Sequence, residues 1–222
     1  MKKILVISPH PDDETLGCGG TILKSIKNGY HVHWLNMTKM NLLEGYSKKK
    51  IDLREKEIKK VLKLYGIKTF NALNFSTAKL DTYPMKDIIK QVNMVINKVK
   101  PEIIYAPSIY DNHSDHKITH EAIKSCIKWF RQNSVKKVLT YEVLSETNIS
   151  FNRKKQFLPN VYEDISKHIN KKIKIMKIYS SELNKHPFPR SKKAIISLAI
   201  LRGTQSGFKY AEAFELLIDR NS

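Results

Sequence analysis

The sequence predicts an α/β protein with a mostly parallel sheet. Along most of the chain, apolar runs of strand length alternate with amphipathic stretches of helix length. The first of these, Ile4 to Ile7, is continuous instead of alternating, as expected for a strand buried on both faces. The third observation is size. At 222 residues and 41% hydrophobic, the chain can fill one full core over residues 1–222, and is too short for two comfortable domains.

Ile4 to Ile7 is the first strand, and a Gly-rich opening leads from it into a helix over Glu14 to Lys27, stopped by Asn28-Gly29. His31 to Met37 reads as a second strand. Lys48 to Tyr65 reads as a helix, with Leu53, Ile58, Val61 and Leu62 at helical spacing and Gly66 as its stop. A short strand over Asn71 to Phe75 and a helix over Met85 to Val99 follow, the helix closed by Lys100-Pro101. Ile103 to Ala106 is a fourth buried strand, followed by an Asp- and His-rich loop, a helix near His116 to Arg131 and a strand near Val138 to Val143. The last third is less regular: an edge strand near Phe157 to Tyr162, helices over Ser166 to Leu183 and Ser191 to Leu201, and a final helical stretch near Tyr210 to Ile218.

Composition excludes several classes. No apolar run approaches the roughly 20 residues that cross a bilayer, and the longest, Ala194 to Leu201, falls far short. The opening Met1 to Ile7 gives way at once to Ser8-Pro9-His10-Pro11-Asp12-Asp13, so it reads as a strand and not a secretion signal. A cytoplasmic location is expected, and Cys18 and Cys126, with no metal spacing between them, read as small buried residues. The net charge of +19 comes from 40 Lys+Arg against 21 Asp+Glu. The basic residues (Lys48 to Lys50, Lys59-Lys60, Lys136-Lys137) are scattered and lack aromatic interleaving, so they read as solvated helix faces. No nucleic-acid partner is expected, while phosphate-bearing substrates and oligomer formation stay open.

Two constellations carry chemistry. His10, Asp12 and Asp13 lie just past the first strand, where open α/β sheets bind ligands. An imidazole and two carboxylates suit a metal such as zinc, and adjacent acids point in different directions, so one can bind metal while the other faces an attacking water. Taken alone, Asp13 or Glu14 would read as a helix cap. The nearby Gly17-Cys18-Gly19-Gly20 lacks the spacing of a dinucleotide loop, since Ile22 stands where its third glycine belongs; close helix packing explains these glycines.

The second constellation, Asp111-Asn112-His113-Ser114-Asp115-His116, follows the fourth strand, with His120 beyond it. His116 would complete a His-Asp-His triad with an open position for water. His113 is then free to act on substrate, and Asp115 can orient a histidine. His116 and His120, one helical turn apart, form an alternative ligand pair. His31 and His33 sit at a strand start, His168 on a helix, and His186 in a Pro-rich loop as a rim candidate.

These residues resemble the LmbE-like, or PIG-L, deacetylase family. The match covers His10-Pro11-Asp12-Asp13-Glu14 without exception, and His113, Asp115 and His116 in a His-x-Asp-His motif. Weaker agreement runs through Arg54, Glu57, Tyr141-Glu142, Pro159-Asn160, Arg202-Gly203 and Tyr210 to Phe214. The resemblance implies a Rossmann-like, three-layer α/β/α fold and zinc held by His10, Asp13 and His116. It implies Asp12 as general base and His113 as oxyanion partner and potential acid. It also implies a substrate of the N-acetylglucosamine-conjugate class. Ser114 stands where the family often has proline, and Thr38-Lys39-Met40-Asn41 replaces an acidic, Gly-containing stretch that tends to meet substrate. Fe(II) suits the same two-histidine, one-carboxylate set. His113 is expected to be cationic toward the oxyanion. Arg54 is expected near the mouth, binding an anionic group of the substrate or pairing with Glu57 or Glu55.

Overall fold

The computed structural model describes residues 1–149 and 156–220. Its centre is a seven-stranded sheet in the order β3-β2-β1-β4-β5-β7-β6. The strands are β1 (Lys3–Ser8), β2 (His31–Lys39), β3 (Thr69–Ser76), β4 (Ile103–Pro107), β5 (Lys137–Tyr141), β6 (Val161–Asp164) and β7 (Ala211–Asp219). The first five are parallel, and β7 runs antiparallel to both β5 and β6. The helices are α1 (Asp13–Lys27), α2 (Lys48–Tyr65), α3 (Met85–Val99), α4 (Ser114–Cys126), α5 (Ile169–Met176) and α6 (Lys192–Ser206). None among the described residues is long and apolar enough to cross a membrane.

The strand residues alternate between two cores, which makes three layers. Ile4, Val6, Val32, Trp34 and Tyr141 face α1, α2, α5 and α6 on one side. Leu5, Ile7, Leu35, Met37 and Val138 face α3 and α4 on the other. The predicted α/β fold with a mostly parallel sheet is therefore what forms.

Most of the differences lie in the C-terminal third. The stretch expected to be helical near Tyr210 to Ile218 is the strand β7. It is paired on both edges and buried from Ala211 to Phe214, so no alternation betrayed it, and a short apolar run does not distinguish strand from helix. The long helix expected over Ser166 to Leu183 shortens to α5, and α4 starts at Ser114 and ends at Cys126 instead of reaching Arg131. The glycines of α1 are there for packing: a Cβ on Gly17 would stand 2.2 Å from the Tyr141 ring, and one on Gly20 2.5 Å from Ile165.

Winding sets the position of the site. From β1 the chain moves outward through β2 to β3, and from β4 it moves the other way to β5. The switch falls between β1 and β4, and the loops leaving their carboxyl ends diverge into a crevice there. Those two loops carry the two constellations.

Candidate active site

His10 comes from the loop after β1, Asp13 from the first residue of α1, and His116 from the first turn of α4. The ligating atoms of these three lie within 4.8 Å of one another. Asp13 Oδ2 is 3.4 Å from His10 Nδ1 and 3.3 Å from His116 Nε2. Each imidazole has its other nitrogen on a separate carboxylate. His10 Nε2 is 2.9 Å from Asp115 Oδ2, and His116 Nδ1 is 2.7 Å from Asp111 Oδ2. Carboxylates behind the rings fix both tautomer and direction, as metal-binding histidines require. A second cluster, His10, His113 and Asp115, also meets the distance condition. There, however, Asp115 already accepts from the backbone N–H groups of Ala78 and Leu80 as well as from His10. The Asp115 oxygens are thus already engaged, which leaves two histidines with one carboxylate, a set suited to zinc or Fe(II).

The charges follow from burial and pairing. Burial alone would lower His10, but its hydrogen bonds with Asp115 and Asp13 raise it to about 9. Burial would raise Asp13, yet the His116 and His10 rings hold its carboxyl far below the usual range. Asp12 moves the other way. Burial, then the charges of Asp13 and Glu182, push it well above the carboxylate range against the pull of Arg54 and Arg190. Adjacent carboxylates thus have opposite proton affinities, a separation characteristic of sites that divide labour between acids.

Asp12 has φ 140°, a backbone region L residues rarely adopt. Its N–H donates to Glu14 Oε2 at 2.9 Å, its carbonyl accepts from Thr15 and Leu16 at the start of α1, and the carbonyl before it, on Pro11, accepts from Arg54 Nη1 at 2.5 Å. Glu14 is fully buried and also accepts from Thr15 Oγ1 and Tyr179 Oη, so it serves the loop and not the metal.

His113 is the N-cap of α4, with its Nδ1 accepting from Asp115 N at 3.1 Å. In the neutral ring, Nε2 then carries the hydrogen. Burial, and after it the charges of His10 and His116, push His113 down to about 4. Burial thus favours a neutral ring, donating through Nε2, over the cation expected.

His10, Asp12, Asp13, His113 and His116 line one cavity of about 620 Å³ together with Thr38, Lys39 and Met40 of the stretch Thr38 to Asn41. Arg54 also reaches the wall, but its guanidinium is engaged within the protein. Beyond Pro11 it bonds Ser181 and Glu182, and its Nε is 3.3 Å from Glu57. His120 turns away to the Pro107 carbonyl at 3.0 Å, so the alternative His116–His120 pair does not converge. His186 is not among the lining residues.

Three neighbours of the site received no role from the sequence. Asp111, which opens the second constellation, could have been given one, because each ring of a histidine pair needs its own carboxylate and the loop offers two. Glu182 and Arg190, paired at 3.2 Å and lining the cavity, carry no local signature.

A diacetylchitobiose deacetylase of Thermococcus kodakarensis is 27% identical over 98% of this chain and 84% of its own length. A probable N-acetyl-alpha-D-glucosaminyl L-malate deacetylase 2 of Bacillus anthracis is 22% identical over 82% of this chain and 81% of its own. The solved N,N'-diacetylchitobiose deacetylase from Pyrococcus horikoshii superposes with a TM-score of 0.77 at 24% identity, covering 98% of this chain and 84% of that one, a likeness of fold. The family model for GlcNAc-PI de-N-acetylase matches residues 5–127, which span β1 to the end of α4 and hence both constellations. The chain belongs to the PIG-L family of deacetylases, hydrolases of amide bonds.

Proposed function

We propose that the chain, as one domain over residues 1–222, removes the acetyl group from an N-acetylglucosamine-type sugar conjugate, releasing acetate and a free amino sugar. One observation carries the reading: two carboxylate-backed histidines converge with Asp13 in a cavity that also presents Asp12 and His113.

His10, Asp13 and His116 are the residues that would hold a divalent cation, zinc in the first instance and Fe(II) as the substitute. Such an ion supplies Lewis acidity toward the acetyl carbonyl and brings the pKa of a water to about 7. Asp12, with its raised proton affinity, would take the proton of an attacking water as the water oxygen bonds to the carbonyl carbon. The neutral His113 directs its Nε2–H at the oxygen that gains charge, a contribution typically of a few kcal/mol. When the C–N bond breaks, the proton on Asp12 returns to the leaving nitrogen, so a neutral amine departs. Asp111 and Asp115 hold the two rings, and Arg54, through Pro11, holds the peptide that aims Asp12. Arg54 is thus a positioning residue in this reading. The buried thiols of Cys18 and Cys126 are in keeping with a reducing compartment such as the cytoplasm.

The test is acetate release from a panel of N-acetylglucosamine conjugates by zinc-loaded protein. Turnover on the panel, absent on simple esters and non-sugar acetamides, is the expected result; activity confined to the latter would reassign the substrate.

A further inference from the structure

The carboxylates that line the cavity are Asp12, Asp13, Glu55, Glu146 and Glu182. Asp13 belongs to the ligand set and Asp12 to proton transfer. Glu55 is 3.1 Å from Lys39 Nζ, and Glu182 is paired with both Arg54 and Arg190. Glu146 differs from all of these. Among the described residues no basic group pairs with it, and its carboxylate accepts a single hydrogen bond, from Ser145 Oγ to Oε1 at 3.2 Å. The second oxygen, Oε2, is left with no partner on the cavity wall.

The turn that carries Glu146 is tied to the loop that carries the ligands. Thr147 Oγ1 donates to Asp111 and accepts from Val143 N at 2.7 Å, and the Glu146 carbonyl accepts from Asn112 N at 3.4 Å. From the other direction, Arg190 Nη1 donates to Ser145 Oγ at 2.8 Å, and that hydroxyl passes its own hydrogen to Glu146. Glu146 is thus a half-buried acceptor held in place relative to His113 and His116.

Topology decides which part of a sugar reaches it. The ligand cluster lies beyond the ends of β1 and β4, at the centre of the strand order. Thr38 and Lys39 at the end of β2, Ala72 on β3, and Ile58, Lys59 and Leu62 on α2 line the cavity to one side. Val143 and Glu146 follow β5 and line it on the other. In a 2-acetamido sugar the nitrogen on C2 is flanked by the aglycone oxygen on C1 and the hydroxyl on C3. With the amide at the ligand cluster, one of these faces each wall. The aglycone is the larger and takes the α2 side, where most of the wall lies, which leaves the C3 hydroxyl beside Glu146.

We propose that Glu146 reads the C3 hydroxyl through Oε2, and so restricts the enzyme to 2-acetamido sugars that are unsubstituted at O3. The proposal rests on the deacetylase reading above and adds a specificity contact to the same site. A carboxylate only accepts, and a sugar hydroxyl has a hydrogen to give. A ligand that displaces water from Oε2 without replacing its hydrogen bond leaves a charged acceptor unpaired. An ether or a hydrogen at C3 does that.

The experiment measures kcat/KM for acetate release and, in parallel, binding by calorimetry on zinc-loaded protein. The probes are methyl N-acetyl-β-glucosaminide and its 3-deoxy, 4-deoxy and 3-O-methyl analogues. The unaltered protein is expected to lose roughly 10- to 150-fold on the 3-deoxy and 3-O-methyl compounds, the range of a hydrogen bond to a charged group, and less on the 4-deoxy one. E146A should fall by that factor on the parent glycoside while treating parent and 3-deoxy alike. E146Q, which keeps the shape and one acceptor oxygen, should lie between. A role confined to holding the turn would lower all the probes together and leave their ratios unchanged. That result would overturn the assignment, as would unaltered protein that handles the 3-deoxy analogue like the parent, or a larger loss at C4 than at C3. Affinity that depends on the C3 hydroxyl without acetate release would keep the contact and remove the deacetylase reading. Acetate release indifferent to C3 would do the reverse.

Discussion

Replacing Asp111 by asparagine tests whether the convergence of His10, Asp13 and His116 is a metal site or only a buried polar cluster. Asp111 is fully buried, with Oδ2 on His116 Nδ1 at 2.7 Å and Oδ1 accepting from Thr147 Oγ1 at 2.5 Å. Asparagine keeps the volume and can keep a bond to the ring, but it removes the charge that makes His116 Nε2 a stronger donor to a cation. Loss of such a carboxylate typically weakens metal binding 10- to 100-fold, or about 1.4 to 2.7 kcal/mol. Competition against a chromophoric chelator at neutral pH reads this directly. The partner substitution, Asp115→Asn, separates the two roles of such a group. Asp115 accepts three donors on its two oxygens, so an amide nitrogen there leaves at least one backbone N–H of Ala78 or Leu80, or His10 itself, facing another donor. An unpaired buried donor costs about 1–3 kcal/mol. The metal-free Asp115→Asn protein should therefore melt roughly 2–12 °C lower. Unchanged zinc affinity in Asp111→Asn would refute the placement of His116 as a ligand.

Three further outcomes follow from the same geometry. Asp12→Asn should keep bound metal and lose about 10² to 10⁴ in turnover, while Asp13→Ala should lose the metal; metal content beside kcat decides, and the opposite pattern would exchange the two roles. In the metal-free protein His10 is protonated up to about 9, so a cation must displace that proton. Apparent affinity should then climb with pH between roughly 7 and 9, and calorimetry in buffers of different ionisation heat should detect proton release; none detected would count against His10. Gly17→Ala places a methyl 2.2 Å from the ring of Tyr141, which is anchored by its hydroxyl on the Ile7 carbonyl. It should destabilise the fold by roughly 1–3 kcal/mol, and an unshifted melting temperature would show that the helix can move aside.

The site was legible where its determinants are local. His10 to Glu14 and His113 to His116 each sit within a few residues of an apolar strand end, and parallel winding alone brings two such loops together. The roles of Asp12 and Asp13 needed the family resemblance, because adjacent acids in a sequence carry no direction. Their opposed proton affinities arise from burial and the charges of Asp13 and Glu182 around Asp12, and from the His116 and His10 rings around Asp13. The misread β7 has the same origin. Glu212 looks like the polar break of a helix, yet it is buried and accepts from the N–H groups of Gly20 and Thr21 and from Lys172 Nζ. An acid with partners on α1 and α5 overrides local preference, and nothing near Glu212 in sequence announces them.

Helix α2 ties the two halves of the cavity together. Asp12 sits in a backbone conformation that costs of order 1–3 kcal/mol, and a strained residue persists only where its surroundings over-determine it. Arg54 supplies much of that constraint through Pro11, and Glu57 and Glu182 hold Arg54 in turn. One turn along the same face, Ile58 lines the same cavity. A shift of α2 large enough to widen the cavity would therefore drag the Pro11 carbonyl and re-aim Asp12. Widening it without that shift takes side-chain exchange at Ile58, Leu62, Phe70 or Ala72, which line it. In that respect α2 is one wall shared by the open cavity and the loop that carries Asp12.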